Sequence, residues 1–130
     1  MAFLSHVGLT VKNLERSLTF YRDVVGMDAG AILEGGNRMK MIHVIAGSFV
    51  LQLLEYVSGG GEVLRLRQEN VGTTHFSFYV PDVDAKYAEV KARGDVKISN
   101  PVSNIGPSLR GFYVEDPDGL PVEFVQTINK

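Results

Sequence analysis

Four polar side chains in the sequence have the chemistry of metal ligands and recur at matching positions. His6 and His75 each lie in a segment where polar and apolar residues alternate, and Gln52 and Glu123 each lie between two apolar residues in a later segment. Imidazole nitrogens and carboxylate or amide oxygens bind divalent metal ions. Because the sequence contains no cysteine, any metal must be held by nitrogen and oxygen alone.

The spacing of apolar residues predicts the elements that carry these side chains. Residues 3 to 11 alternate between apolar and polar side chains, which is typical of a β-strand with His6 on its polar face. A helix is predicted next, because Asn13 is a good N-cap and Gly26 lies where a left-handed C-cap residue is expected. The predicted elements of the first half are a strand at 3–11, a helix at 14–25, and strands ending near Glu34, at 39–45 and at 49–56.

The same order of elements is predicted again after a glycine-rich segment. Superposing His6 on His75 brings Asn13 onto Asp82, another good N-cap, and Gln52 falls opposite Glu123 if the offset grows by two residues. The predicted elements of the second half are a strand around residue 75, a helix from 83 to 94, a short strand at 96–98, a long loop containing Pro101, Gly106 and Pro107, and strands at 109–115 and 120–127.

The sequence therefore predicts an α+β fold of two tandem βαβββ modules, residues 1–57 and 72–130, with a connector at 58–71. If each helix covers one face of its sheet, the other faces stay free, and we expect them to form a curved mixed sheet around a cleft. The polar residues would line this cleft. His43 has no evident counterpart in the repeat and is expected to be structural, whereas Glu55 is expected to be a solvated charge.

Composition limits the classes of function. The 130 residues, 45% of them apolar, suffice for one compact domain without disulfides or a structural metal. Because the 13 basic and 15 acidic residues form no runs of like charge, neither nucleic acid nor a membrane surface is expected as a partner. The sequence shows no secretory signal and no apolar stretch of membrane-spanning length, so a cytoplasmic location is expected.

Motifs along the whole chain resemble those of the vicinal oxygen chelate superfamily, which includes glyoxalase I, methylmalonyl-CoA epimerase, extradiol dioxygenases and the fosfomycin and bleomycin resistance proteins. The resemblance is carried by HVGLTVKNLERSLTFYRDVVGM at 6–27, FVLQLLEY at 49–56, THFSFYVPDVDA at 74–85 and RGFYVEDPDGLPVEFVQ at 110–126. Together these motifs are specific, whereas each of them alone would be weak.

The resemblance implies a glyoxalase-like fold with one divalent ion (Zn, Ni, Co, Mn, Mg or Fe) bound by His6, Gln52, His75 and Glu123. It also implies an enzyme that abstracts a proton next to a metal-chelated carbonyl, that is, a lyase or an isomerase. The expected base is Glu123, by resemblance to glyoxalases, or Glu34, which lies roughly where the epimerase carries a catalytic acid.

Two other functions remain open. The residues His6, His75 and Glu123 could form the facial triad of an Fe(II) extradiol dioxygenase. Ring cleavage needs three open metal positions, however, and ligation by Gln52 would leave only two. The second alternative is a protein that sequesters a ligand, like the bleomycin resistance proteins, although those members generally lack the metal-binding residues.

The expected substrate is a small molecule, and the cleft residues are its candidate contacts. The candidate substrate-binding residues are Thr10, Ser77, Tyr79, Arg65, Arg67, Asn70 and Arg110. The arginines among them could bind an anionic group. Glutathione-dependent glyoxalases that resemble this chain carry an arginine at the position of Thr10, so its absence argues against glutathione. A homodimer is expected, because each module leaves a sheet edge that can pair with a partner.

Overall fold

The structure is a computed structural model that describes residues 1–35, 38–63 and 69–128. The chain divides into two compact units, Met1–Val63 and Leu64–Lys130. Each unit contains one sheet and one helical segment. Among the described residues, no helix combines the length and apolarity that crossing a membrane would require.

Unit 1 has the element order βαβββ, with its second strand divided into two short pieces. Its elements are β1 (Val7–Thr10), α1 (Leu14–Thr19), a π-helical continuation (Phe20–Val25), β2 (Asp28–Ala29), β3 (Leu33–Gly35), β4 (Met39–Ala46) and β5 (Phe49–Tyr56). The sheet order is β1-β5-β4-β2, and β3 also pairs with β4. The strands β1 and β5 are parallel and the other pairs are antiparallel.

The predicted helix ends of unit 1 are confirmed. The Asn13 side chain accepts a hydrogen bond from the backbone N–H of Arg16 at 2.8 Å, as an N-cap residue does. Gly26 ends the helical segment in the left-handed conformation, with φ of 94°, which glycine adopts without steric cost. The segment differs from the prediction in its second half, where the helix widens to π geometry over Phe20–Val25.

Unit 2 repeats this order. Its elements are β6 (Phe76–Tyr79), α2 (Val83–Arg93), β7 (Ile98–Ile105), β8 (Leu109–Glu115) and β9 (Pro121–Thr127). The sheet order is β6-β9-β8-β7, with β6 parallel to β9. Asp82 caps α2 by accepting from the N–H of Ala85, and Gly94 follows it with φ of 75°, so both predicted ends are confirmed.

The long loop predicted around Pro101 was wrong, because those residues belong to strand β7. This strand lies at the edge of the sheet, and its pairing with β8 shifts register between Ile98 and Asn100 and again between Asn100 and Ser103. Proline cannot donate a ladder hydrogen bond, so it is tolerated at edges and bulges. A sequence pattern interrupted by bulges loses its strict alternation and therefore resembles a loop.

Each sheet buries one face against its helix. Leu51 and Leu53 of β5, and Val122 and Phe124 of β9, are completely buried on this helix face. Side chains alternate along a strand, so Gln52 and Glu123 point to the opposite face, which we call the helix-free face of each sheet. The predicted α+β fold of tandem βαβββ modules is confirmed.

Candidate functional site

In unit 2, four polar side chains meet beside the start of β6. His75 immediately precedes this strand, and its Nε2 lies 3.9 Å from Oε1 of Glu123 and 3.3 Å from the hydroxyl of Tyr113. Ser77 donates a hydrogen bond from Oγ to the same Glu123 oxygen at 2.8 Å. The strands fix these neighbours, because Ser77 and Tyr113 lie opposite Glu123 in the two ladders of β9.

Contacts within this cluster orient the imidazole and the phenol. Nδ1 of His75 lies 2.8 Å from Oγ1 of Thr74, so Nε2 is the nitrogen that faces Glu123 and Tyr113. Burial, and secondarily the negative charge of Glu123 and a hydrogen bond to it, raise the pKa of Tyr113. The phenol therefore keeps its proton at neutral pH and can donate a hydrogen bond within the cluster.

In unit 1, an equivalent set of side chains lies on the helix-free face. Nε2 of Gln52 lies 3.1 Å from Nε2 of His43 and 3.3 Å from the sulfur of Met41. The rings of His6 and His43 have centroids 5.5 Å apart. Nδ1 of His6 lies 2.9 Å from Oγ of Ser5, which matches the contact of the second histidine with its preceding threonine.

The ladders show which positions of the two units correspond. Gln52 lies between Gly8 and His43 in the sheet of unit 1, as Glu123 lies between Ser77 and Tyr113 in unit 2. His43 therefore does have a counterpart, Tyr113, and the interpretation that it lacks one was wrong. Sequence reasoning missed this pair because the residues differ in type, although each lies in the strand that precedes Gln52 or Glu123.

The expectation that Glu55 is only a solvated charge was also wrong. Its Oε1 accepts a hydrogen bond from the backbone N–H of Leu14 at 2.6 Å, at the start of α1. In unit 2, Oε1 of Gln126 accepts from the N–H of Val83 at 2.9 Å, at the start of α2. Each last strand therefore helps to cap the helix of its own unit.

Two of the four residues predicted to bind a metal lie close enough together to share one ion. An imidazole nitrogen and a carboxylate oxygen that share a zinc ion at about 2.0–2.2 Å each are separated by roughly 3 Å, and the His75–Glu123 distance of 3.9 Å is within about 1 Å of that value. Both side chains are partly exposed, at 28% and 12%, so small rotations suffice. Within the described ranges, however, the structure shows no group of three or more histidine, aspartate or glutamate side chains around one point.

Only some of the other predicted site residues lie on the helix-free faces. Thr10, Ser77 and Tyr79 lie on the helix-free faces, and Tyr79 is 77% exposed. Glu34 is exposed on β3, where it pairs in register with Lys40. Asn70 is exposed and precedes β6. The residues Arg65 and Arg67 lie outside the described part of the chain.

Arg110 lies on the helix face and forms a structural ion pair. Its guanidinium donates two hydrogen bonds to the carboxylate of Asp84 on α2, at 3.0 and 2.9 Å. The hydrogen bond raises the pKa of Arg110 and lowers that of Asp84. Unit 1 has the corresponding pair, in which Lys40 lies 3.5 Å from Glu15. The contact joins helix to sheet in both units, so we do not include Arg110 in the candidate site.

Comparisons with known proteins give a consistent result. The family model described as Glyoxalase/Bleomycin resistance protein/Dioxygenase superfamily matches residues 3–124. A probable lactoylglutathione lyase of Synechocystis sp. is 27% identical over 98% of both chains. The structure of a trypanothione-dependent glyoxalase I of Leishmania major has a TM-score of 0.72 at 23% identity, with 93% of this chain and 84% of that one covered. The fosfomycin resistance protein FosX of Listeria monocytogenes also has a TM-score of 0.72, at 22% identity over 97% and 93% of the two chains.

Proposed function

This chain belongs to the Glyoxalase/Bleomycin resistance protein/Dioxygenase superfamily, and we propose that it is a divalent-metal-dependent enzyme of the glyoxalase or epimerase type. Its reaction would be the removal of a proton next to a carbonyl group of a small substrate, which would bind the metal through two oxygens. This chemistry makes it a lyase or an isomerase. The lactoylglutathione lyase among its relatives supports the same class of reaction.

The observation that carries the proposal is the cluster of His75, Tyr113 and Glu123 on the helix-free face of unit 2. The imidazole nitrogen of His75 lies 3.9 Å from the Glu123 carboxylate and 3.3 Å from the Tyr113 hydroxyl, and burial, together with Glu123, raises the pKa of the phenol. Most of the apolar core lies on the other face of the sheet, so this polar group lies apart from the main core. Polar side chains that meet in this way are typical of a site that binds a metal or a substrate.

We propose His6, Gln52, His75 and Glu123 as the ligands of one divalent ion, within one chain or across a homodimer. A bound ion of this kind acidifies the C–H bond beside a chelated carbonyl, because it stabilises the negative charge that develops on oxygen. Two imidazoles, a carboxylate and an amide oxygen are suitable donors for several divalent metals. They would leave two positions of an octahedral ion open for two substrate oxygens.

Glu123 is the proposed base that takes the proton. Ser77 donates a hydrogen bond to one of its oxygens at 2.8 Å, which orients the carboxylate. The protonated hydroxyl of Tyr113 can donate to the carboxylate or to an oxygen of the substrate that gains negative charge. Glu34, the other base expected from the sequence, pairs in register with Lys40, whose side chain reaches Glu15 of α1. It therefore lies on the helix face and is not suited to act as the base of this site.

The substrate is proposed to lie against Thr10, Ser77 and Tyr79, which occupy the helix-free faces. Asn70, and also Arg65 and Arg67, are candidates for contact with an anionic group. Thr10 is a short, neutral side chain at the position where glutathione-dependent relatives of this type carry an arginine. We therefore expect a substrate other than a glutathione adduct.

The experiment that tests this proposal follows hydrogen exchange with the solvent. In deuterated buffer with added Zn²⁺, Ni²⁺, Co²⁺ or Mn²⁺, the enzyme should introduce deuterium next to the carbonyl of an α-hydroxycarbonyl compound or a thioester, without taking up oxygen. The Glu123→Gln variant should lose this exchange, whereas Glu89→Gln, the same change on the exposed side of α2, should retain it. Oxygen consumption with catechols, and no proton exchange, would instead identify a ring-cleaving dioxygenase.

A further inference from the structure

His43 takes no part in the proposed reaction, yet it contacts one of the proposed ligands. It lies on the helix-free face of β4, directly opposite Gln52 in the ladder. The closest atoms of the two side chains are Nε2 of the imidazole and Nε2 of the amide, 3.1 Å apart. This contact concerns the nitrogen of the amide, which does not bind metal ions, so its effect must be on how the amide is oriented.

The amide nitrogen of Gln52 is held from the β4 side. A thioether sulfur can only accept a hydrogen bond, and a neutral imidazole has one nitrogen that accepts. The sulfur of Met41 and Nε2 of His43 both lie within hydrogen-bonding distance of the amide nitrogen, at 3.3 and 3.1 Å. The two N–H groups of the amide therefore have two possible acceptors. The sulfur cannot donate to the amide oxygen, and His43 could do so only if Nε2 carried its proton.

The amide oxygen of Gln52 points the other way, towards β1. It lies 4.0 Å from the position that a Cβ atom on Gly8 would occupy, and Gly8 is its neighbour in the β1 ladder. Because glycine has no side chain, the space beside the oxygen is left open. Ser77, at the equivalent position of unit 2, instead donates a hydrogen bond to Glu123. Hard and borderline metal ions bind an amide through this oxygen.

We infer that His43 is a positioning residue that, together with Met41, holds Gln52 with its oxygen directed towards β1. The inference rests on the proposed function, in which that oxygen is a metal ligand. It requires the neutral imidazole of His43 to carry its proton on Nδ1, because Nε2 accepts from the amide. Side chains that orient a ligand in this way typically change metal affinity by 10- to 100-fold.

The first test needs no metal. Nuclear magnetic resonance of isotope-labelled, metal-free protein reports which ring nitrogen of His43 carries the proton at a pH where the ring is neutral. We expect the proton on Nδ1 in the wild type and a mixture of the two tautomers in Gln52→Leu. A wild-type ring protonated on Nε2, or no change in the Gln52→Leu variant, would refute the inference.

The second test measures Zn²⁺ affinity by calorimetry. His43→Leu should weaken binding by about 10- to 100-fold, whereas His43→Gln, whose side-chain carbonyl can accept the same hydrogen bond, should recover most of the affinity. In a Gln52→Leu background, His43→Leu should have no further effect, because His43 acts only through Gln52. An equal loss in both backgrounds would show that His43 binds the metal itself, and no loss in either would show that it has no role.

The two tests separate this inference from the proposed function. A wild-type protein that binds no divalent metal would refute the proposed function. The tautomer of His43 in metal-free protein would still show whether it holds Gln52. Thermal unfolding of His43→Leu, compared with His43→Gln, shows whether a weaker affinity comes from a disturbed fold.

Discussion

The two units place an acid and an amide at the same pair of positions, but in exchanged order. In unit 1, Glu55 caps the helix and Gln52 lies on the helix-free face. In unit 2, Gln126 caps the helix and Glu123 lies on the helix-free face. The fold needs only a hydrogen-bond acceptor at the cap, which either side chain provides. Of these four residues, only Glu123 of unit 2 places a negative charge on the helix-free face.

The neighbours of the two side chains differ in a matching way. Glu123 is accompanied by two hydroxyl groups, of Ser77 and Tyr113, which can donate to a carboxylate. Gln52 has two acceptors beside its nitrogen, on His43 and Met41. The duplicated backbone fixes where these groups lie, and the side chain in each unit determines whether the position carries a negative charge or a neutral amide.

Replacing the charge of unit 2 with the amide of unit 1 should have the largest effect. We expect Glu123→Gln to lower kcat by about 100- to 10,000-fold, the usual contribution of a general base. Steady-state rates at saturating metal would show it, with Glu89→Gln as a matched control on the surface of α2. Retention of more than a tenth of the wild-type rate would exclude Glu123 as the base.

The reverse change, Gln52→Glu, would give unit 1 the charge of unit 2. Because metal affinity rises with the number of charged ligands, we expect divalent ions to bind about ten times more tightly in titration calorimetry. The same variant loses the N–H groups that can donate hydrogen bonds to His43 and Met41, so part of the gain is offset. An affinity that does not change at all would indicate that position 52 does not contact the metal.

The cap positions should affect stability rather than activity. Glu55→Ala removes the acceptor for the partly buried N–H of Leu14 and should lower the free energy of unfolding by about 1 kcal/mol. Glu55→Gln, which copies the cap of unit 2, should cost clearly less. Denaturant unfolding of both variants measures this difference, and equal losses would show that the charge, not the acceptor, is what the cap requires.

The ion pairs between helix and sheet give the smallest expected effect. Hydrogen bonding to Arg110 lowers the pKa of Asp84, so its contribution to stability is present above the pKa of the unfolded carboxyl and is lost as the pH falls through the folded value. Asp84→Asn should therefore flatten the decline of stability below about pH 4 only slightly, because the carboxylate is exposed and the pair is well hydrated. Thermal unfolding between pH 3 and pH 7 checks this expectation, which a large shift at pH 7 would contradict.

Much of the fold could be predicted from the sequence, because caps and alternation are local signals. Asn13, Gly26, Asp82 and Gly94 mark helix ends through their own backbone and side-chain chemistry. Strand β7 was missed because bulges interrupt its pattern around Pro101. Local sequence signals cannot predict these register shifts, because the shifts depend on pairing with the neighbouring strand.

The candidate site could be predicted only in part. The repeat identified His75 and Glu123, which the structure brings within 3.9 Å of each other. It did not identify Tyr113 or the role of His43, because the correspondence between them depends on ladder register rather than on residue type. Arg110 has the charge of an anion-binding residue, but in the structure its guanidinium already donates two hydrogen bonds to Asp84.

The most direct test of the proposed metal site is the metal content of the purified protein and its variants. Elemental analysis after saturation and removal of excess metal should give one divalent ion per chain in the wild type. His6→Ala and His75→Ala should each lose it, because each removes a ligand from a different unit, while Asp84→Asn should keep it. A wild type without metal, or full occupancy in both histidine variants, would contradict the account.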